Sequence, residues 1–321
     1  MKAKVFCFLV AILFALTSVA YAQVREYPKK SIQIVAGHAA GSSVDIFYRL
    51  LAEETSKMWK VPVNVFNKPT ASGSVAASEV ANAEKDGYTL LAALVGTLAT
   101  VSVGNPKSPV HILRDFDPLE IHTYGANVIW TRADSQFKSL DDVVEYARKK
   151  PGDLICGVSE MGSTSHLLTL QLKRLANVDI TIVHNDGPPQ VLTGVLGGHF
   201  NLGWGNHATI TPLVTAGRIR ALASDMKCPL GVPTFAEKGY PVSLPLLMGL
   251  MGPKGLPPAA VRAWDDAVNA IMKDPKFQAS INKAGFLVTM TTGTEKLNGM
   301  MKEEVARYSR FTPEELGWKQ K

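Results

Sequence analysis

Ser31-Ile32-Gln33-Ile34-Val35-Ala36, followed at once by Gly37-His38-Ala39-Ala40-Gly41-Ser42-Ser43, is the stretch that decides the fold. The first six residues read as a buried strand and the next seven as a loop of small residues. Ile46, Phe47, Leu50, Leu51 and Met58 then recur near helical spacing. Working outward, 61–66 reads as a second strand. Small residues at 70–74 lead into a helix through Val75, Ala76 and Val80. Asp86-Gly87 is a turn, and 88–93 is a third strand. Strands that alternate with helices predict an α/β fold with a mostly parallel sheet.

The same alternation resumes at 126–130. Ser139 with Asp142 three residues on reads as a capping box, and Pro151-Gly152 closes that helix. Strands are expected at 154–158, 180–183, 200–204 and 219–223. Between them lie a helix at 166–176, another at 190–196 stopped by Gly197-Gly198, and a third ending near Gly217. A strand-like 246–251 follows, then helices starting near Pro258, Asp274 and Thr294. This order predicts two lobes, one from 23–124 plus 245–321 and the other from 125–244. The two crossings between them would form a hinge.

The beginning of the chain reads as an export leader at 1–22. Lys2 and Lys4 precede an apolar run at 5–16, and Ala20-Tyr21-Ala22 matches a cleavage site, so the mature chain is expected to begin at Gln23. Cys7 lies inside that leader without a lipobox. The formal charge is +6, and removal of the two leader lysines lowers it to +4 (6 − 2). That balance suits an anionic ligand, and no basic run is dense enough for nucleic acid. Cys156 and Cys228 remain after cleavage; their pairing is left open by the sequence.

Ligands of open α/β sheets bind beyond the carboxyl ends of the strands, where helix N-termini offer free N–H groups and a positive dipole end. Three loops fit that position: Ala40-Gly41-Ser42-Ser43, Gly96-Thr97 and Gly162-Ser163-Thr164-Ser165-His166. Glycine admits close approach to the backbone and hydroxyls donate without fixed charge. The alternative for each loop is a simple helix cap.

Nearly the whole mature chain resembles the substrate-binding receptors of tripartite tricarboxylate transporters, the Bug receptors. The resemblance runs through Tyr27-Pro28, Asp45-Ile46, Asn67-Lys68-Pro69, Asp86-Gly87-Tyr88-Thr89-Leu90-Leu91, Gly96-Thr97 and Asp115-Phe116. It continues through Lys150-Pro151-Gly152, Gly162-Ser163-Thr164-Ser165-His166, Gly197-Gly198, Ala216-Gly217-Arg218-Ile219-Arg220-Ala221-Leu222-Ala223 and Val232-Pro233-Thr234. It implies a two-lobe, periplasmic-binding-protein-like fold with the ligand cleft between the lobes. It also implies a periplasmic receptor that closes on a small organic carboxylate and delivers it to integral membrane transporter subunits. By the resemblance, Gly41, Ser42, Ser43 and Asp45 hold a carboxylate. Ser163, Thr164, Ser165 and His166 contact it from the second lobe, and Gly96, Thr97 and Gly187 border the cleft.

The chain departs from the family at Gly37-His38, Gly41-Ser42, Asn185-Asp186-Gly187 and Gly205. Gly205 stands at a position that is often acidic, which disfavours an ammonium-bearing ligand. His38 and Trp204 could offer flat faces to a ring or an apolar chain, with the alternative that Trp204 points into the core. Asn206 completes the candidate contacts. A mono- or dicarboxylate with an apolar or aromatic body is therefore expected over an amino acid or citrate.

The rival class is a periplasmic hydrolase, since His166 follows Ser163 closely. However, G-x-S-x-G, H-E-x-x-H and Cys/His metal spacings are all missing from the sequence. Binding without catalysis, cofactor or metal is expected, by a monomer. A receptor that presents its ligand to a membrane sensor would share the same fold.

Overall fold

The computed structural model describes residues 27–69, 73–104, 108–159 and 161–317. The leader read at 1–22 and most of the small-residue run at 70–74 lie outside the described residues.

The first lobe is a six-stranded sheet between two helical layers. Strands β1 (Ile32–Ala36), β2 (Val63–Asn67) and β3 (Thr89–Leu94) alternate with helices α1 (Ser43–Trp59) and α2 (Ser74–Ala81). Next come α3 (Val95–Gly104), the short α4 (Ile112–Asp115) and β4 (Phe116–Thr123). Successive residues of one strand serve opposite faces. Ile32, Ile34 and Ala36 enter one core with Phe47, Leu51 and Trp264, while Val35 enters another with Ala76 and Leu98. Coverage on both faces explains why β1 and β3 read as nearly continuous apolar runs.

The second lobe begins at β5 (Asn127–Arg132). It continues through α5 (Leu140–Lys149), β6 (Ile155–Val158), α6 (Thr164–Ala176), β7 (Thr181–His184), α7 (Pro188–Leu196), β8 (Gly203–Asn206), α8 (His207–Thr215) and β9 (Ile219–Ser224). The capping box at Ser139 and Asp142 is formed. The chain then returns to the first lobe through β10 (Leu247–Pro253), α9 (Pro258–Lys273), α10 (Pro275–Lys283), β11 (Thr289–Thr291) and α11 (Thr294–Tyr308).

The sheets are more mixed than the alternation predicts. The first runs β11-β4-β10-β3-β1-β2. Only β1–β2 and β1–β3 are parallel there; β10 pairs antiparallel with both β3 and β4. The reason is topological. The chain leaves this lobe at the end of β4 and re-enters at the start of β10, and these strands are hydrogen-bonded neighbours, so they must run in opposite directions. In the second lobe β6–β7 is parallel, whereas β5 pairs antiparallel with β8 and β9.

The two crossings are stitched together. Tyr124 N–H donates to the Leu246 carbonyl at 2.9 Å. The Asn127 amide donates to the Leu244 carbonyl at 2.8 Å and to Asp225 at 2.6 Å. Burial pushes the Asp225 carboxyl up to about 6 despite those donors. Residues 309–317 were grouped with the first lobe by sequence, but Phe311 and Leu316 are buried in the second-lobe core with Leu167 and Leu172. Cys156 and Cys228 are both free thiols; Cys156 is fully buried and its thiol is pushed up to about 12 by burial. Among the described residues no helix is long and apolar enough to cross a membrane.

Candidate functional site

A cleft of about 1170 Å³ opens between the lobes. The sequence-predicted residues His38, Ser43, Gly96, Thr97, Ser163, Thr164, Ser165, Trp204 and Asn206 line it. Gly41, Ser42, Asp45, His166 and Gly187 are not among its lining residues.

Each ligand loop is shaped by its own hydrogen bonds. In the first lobe, Ser42 is the N-cap of α1 and accepts the Asp45 N–H at 3.3 Å. Gly41, at φ +80°, donates its N–H to Asp45 Oδ2 at 2.9 Å. Asp45 Oδ1 accepts from Arg49 at 2.9 Å and Asn67 at 2.8 Å. Burial raises the Asp45 carboxyl, but Arg49, the Gly41 N–H and Asn67 outweigh it and hold it below the usual range. Asp45 is thus a brace for the loop, not a face of the cleft.

The second loop repeats the construction. Ser163 caps α6 by accepting the His166 N–H at 3.3 Å, and Gly162, at φ +79°, donates to His166 Nδ1 at 3.1 Å. Ser163 Oγ also meets Ser165 Oγ at 3.1 Å, and Ser165 accepts the Ser159 N–H at 3.0 Å. Burial and the neighbouring His184 hold the His166 imidazole down at about 4, so it is neutral near pH 7. Its Nδ1 is spent on Gly162. A serine–histidine nucleophile pair is therefore not the geometry at Ser163.

Among the described residues, the polar groups that face the cleft are uncharged. Ser43, Thr97 and Thr164 lie in the first turns of α1, α3 and α6. Their hydroxyls make no side-chain hydrogen bond among the described residues. Asn206 caps α8 by accepting the Ala208 N–H at 2.9 Å, and Pro188 opens α7. No Asp, Glu, Lys or Arg stands among the described lining residues. His38 Nδ1 is buried without a partner there, and desolvation lowers its imidazole, keeping it neutral.

Three of these positions have packing reasons that the sequence does not show. Trp204 is 6% exposed, stacks on Phe235 with ring centroids 5.4 Å apart, and donates to Thr169 at 2.9 Å. One flat face is thus covered by Phe235 in the core, although Trp204 also lines the cleft. Gly96 is small for a packing reason, because a Cβ there would stand 2.5 Å from the Tyr308 hydroxyl. At Gly205 a Cβ would meet Ile210 at 2.5 Å, so an acidic residue there would have to displace Ile210.

Sequence reading missed Tyr124 and Asn127 at the first crossing, and Tyr308 and Leu316 near the end of the chain; all four line the cleft. Tyr124 and Asn127 flank Gly125-Ala126 beside the expected hinge, a signal that was available. Nothing local in sequence marks Tyr308 or Leu316. Behind Gly96, the 1%-exposed Glu304 carries an unpartnered Oε1. Burial pushes its carboxyl up to about 7, against Arg307, which donates to the other oxygen at 3.1 Å.

This is the architecture of a solute-binding protein: two α/β lobes and a cleft rimmed by helix N-termini. Residues 47–316 match the family described as "Tripartite tricarboxylate transporter family receptor", and the chain belongs to that family. It is 30% identical over 275 residues to the UPF0065 protein in the gbd 5' region of Cupriavidus necator, covering 82% of this chain and 81% of that one. A Rhodopseudomonas palustris protein solved with adipate superposes with a TM-score of 0.73 at 26% identity, covering 91% of this chain and 99% of the other. MatC of the same organism, solved with bound malate, gives a TM-score of 0.70 at 26% identity, covering 88% and 99%.

Proposed function

We propose that this chain is a periplasmic receptor that captures a small organic mono- or dicarboxylate by lobe closure and delivers it unchanged to a tripartite tricarboxylate-type transporter. One observation carries the reading. Ser43, Thr97 and Thr164 aim unengaged hydroxyls from three helix first turns into one cleft whose described lining holds no charged side chain. Helix N-termini supply partial positive charge and N–H donors, each worth about 0.3–1 kcal/mol to an anion and up to about 2 when partly buried. A cation would find no counter-charge in the described lining. Adipate and malate bound to relatives of the same fold support the ligand class.

We place the lobe boundaries at 124/125 and 244/245. Apolar lining from Leu94, Val101, Leu246 and Phe286 suits a ligand with an apolar body, in place of the Trp204 face expected from sequence. Closure brings the second-lobe loop onto a ligand already held by the first, which shifts the population to the closed state.

A thermal-shift screen with adipate, malate, glutamate and citrate tests this. Adipate or malate is expected to raise Tm, since a ligand at a hundred times its Kd stabilises by about 2.7 kcal/mol. A shift with glutamate or citrate alone, or with none of the four, overturns the ligand class. Export is checked separately: N-terminal sequencing of secreted material should give Gln23, and an intact Met1 in the membrane fraction would contradict it.

A further inference from the structure

We propose that residues 309–317 form a third link between the lobes, and that this strap sets the shape of the second ligand loop by packing against its backbone at Met161 and Gly162. It rests on the reading of 162–166 as a ligand loop. Helix α11 belongs to the first lobe, where Leu297 and Met301 share a core with Leu91 and Ile121. At its last residue, Tyr308, the chain turns away. Tyr308, Phe311 and Leu316 are all buried in the second-lobe core. Exposed Ser309 and Arg310 alone separate Tyr308 from Phe311.

The strap is a shaped piece of chain. Thr312 N–H donates to the Glu315 carboxylate at 2.9 Å, and Glu315 N–H donates back to Thr312 Oγ1 at 3.2 Å. Arg174 of α6 pairs with the Glu315 carboxylate and lies 5.6 Å over the Phe311 ring. The tip presses on the ligand loop. A Cβ on Gly162 would run into the Leu316 carbonyl, and one on Gly317 would stand 3.0 Å from the Met161 carbonyl oxygen.

His166 braces the loop from within. Its Nδ1 accepts the Gly162 N–H at 3.1 Å. A neutral imidazole that accepts at Nδ1 carries its proton on Nε2, so this bond assigns the tautomer. The side chain lies 5% exposed behind the loop. His166 is therefore a positioning residue. The loop it positions is tied to the helix that also backs Gly96 across the cleft.

Backbone hydrogen exchange in the ligand-free full chain tests this, with residues 41–45 of the first loop as an internal reference. Detaching the strap with Leu316→Asp plus Arg174→Ala is expected to speed exchange at 162–166 at least tenfold and leave 41–45 unchanged. No change at 162–166, or equal acceleration of both loops, overturns the proposal. Should that double variant fail to fold, Arg174→Ala alone decides, since it removes the pairing with Glu315 and the contact over Phe311. Exchange at 162–166 is expected to rise about threefold with 41–45 unchanged; an unchanged 162–166 overturns the strap. Because no ligand enters these measurements, a chain that binds no carboxylate would defeat the proposed function and leave this result standing.

Discussion

Gly41-Ser42-Ser43-Val44-Asp45 and Gly162-Ser163-Thr164-Ser165-His166 are the same device built twice. Each opens on a glycine near φ +80°, caps a helix with the next serine, and returns the glycine N–H to the side chain four residues on. They differ in that last acceptor. In the first lobe it is a carboxylate compensated by Arg49; in the second it is an uncharged imidazole. The same backbone shape can thus be held with or without a fixed charge beside an anion site. The brace of the second loop adds no negative charge beside its helix dipole, and the first trades some of that for a stronger brace.

The comparison breaks most visibly at the braces. Asp45→Ala removes the acceptor of Gly41, Arg49 and Asn67 at once. At about 1.5–3 kcal/mol for a bond to a charged group and about 1 for the rest, the expected loss is about 4 kcal/mol, read as a lower urea midpoint. His166→Asn, which keeps the Gly162 acceptor, should cost less than half of that; equal losses would show that the two braces are not distinguished by charge.

Acidification separates them next. The His166 value of about 4 lies below the ordinary 6.5. Between those values the unfolded chain binds a proton that the folded chain refuses. Stability is therefore fully present above about 6.5 and is lost as pH falls to about 4, by about 3 kcal/mol. Glu304, behind the third loop, works with the opposite sign. Its carboxyl sits at about 7 against an ordinary 4.5. The folded state there holds the extra proton, so stability is greatest below about 4.5 and falls as pH rises through 7, by a similar amount. The two windows overlap with opposite slopes, so they nearly cancel in the wild type and each variant unmasks the other. Denaturant midpoints from pH 4 to 8 should fall as pH rises in His166→Asn and climb as pH rises in Glu304→Gln; a flat profile in either variant would assign the titrations elsewhere.

At the ligand itself the effect is about 1.5–3 kcal/mol per hydroxyl, or roughly ten- to hundredfold in affinity. Thr164→Ala should lie at the upper end and Ser43→Ala at the lower, because Asp45 already burdens the first loop. Calorimetry with adipate reads both, and wild-type affinity in the two variants would move the site. The caps give the smallest effect. Ser42→Ala and Ser163→Ala should each cost about 1 kcal/mol, measured by denaturant midpoint. Ser163 should cost slightly more, since its Oγ also holds Ser165.

Much of this was legible because small residues at strand ends announce themselves. The 31–43 stretch, the capping box at Ser139 and the hydroxyl loops were all visible in order. Strand β4 was not. Its sequence Phe116-Asp117-Pro118-Leu119-Glu120-Ile121-His122-Thr123 reads as a surface segment, yet Glu120 and His122 are fully buried. They are buried because they satisfy each other at 2.8 Å, and Tyr48 donates to Glu120 from α1, 72 residues away in sequence. Pairings over such separations leave no periodic trace. The strap escaped for the same reason: Phe311 and Leu316 look like the sparse apolar residues of any tail until α6 is beside them.

The absence of charged side chains from the described lining has a consequence for which anions gain most from the cleft. An inorganic dianion such as sulfate concentrates its charge on a small volume, surrenders hydration at great cost, and must recover it from hydroxyls and helix ends alone. A carboxylate at the end of a carbon chain gives up less water, and burial of the chain offsets part of the loss. Leu94, Val101 and Phe286 in the described lining offer that second gain to a carbon chain and not to an inorganic anion, so the apolar wall, more than the anion site, is what tells the two apart.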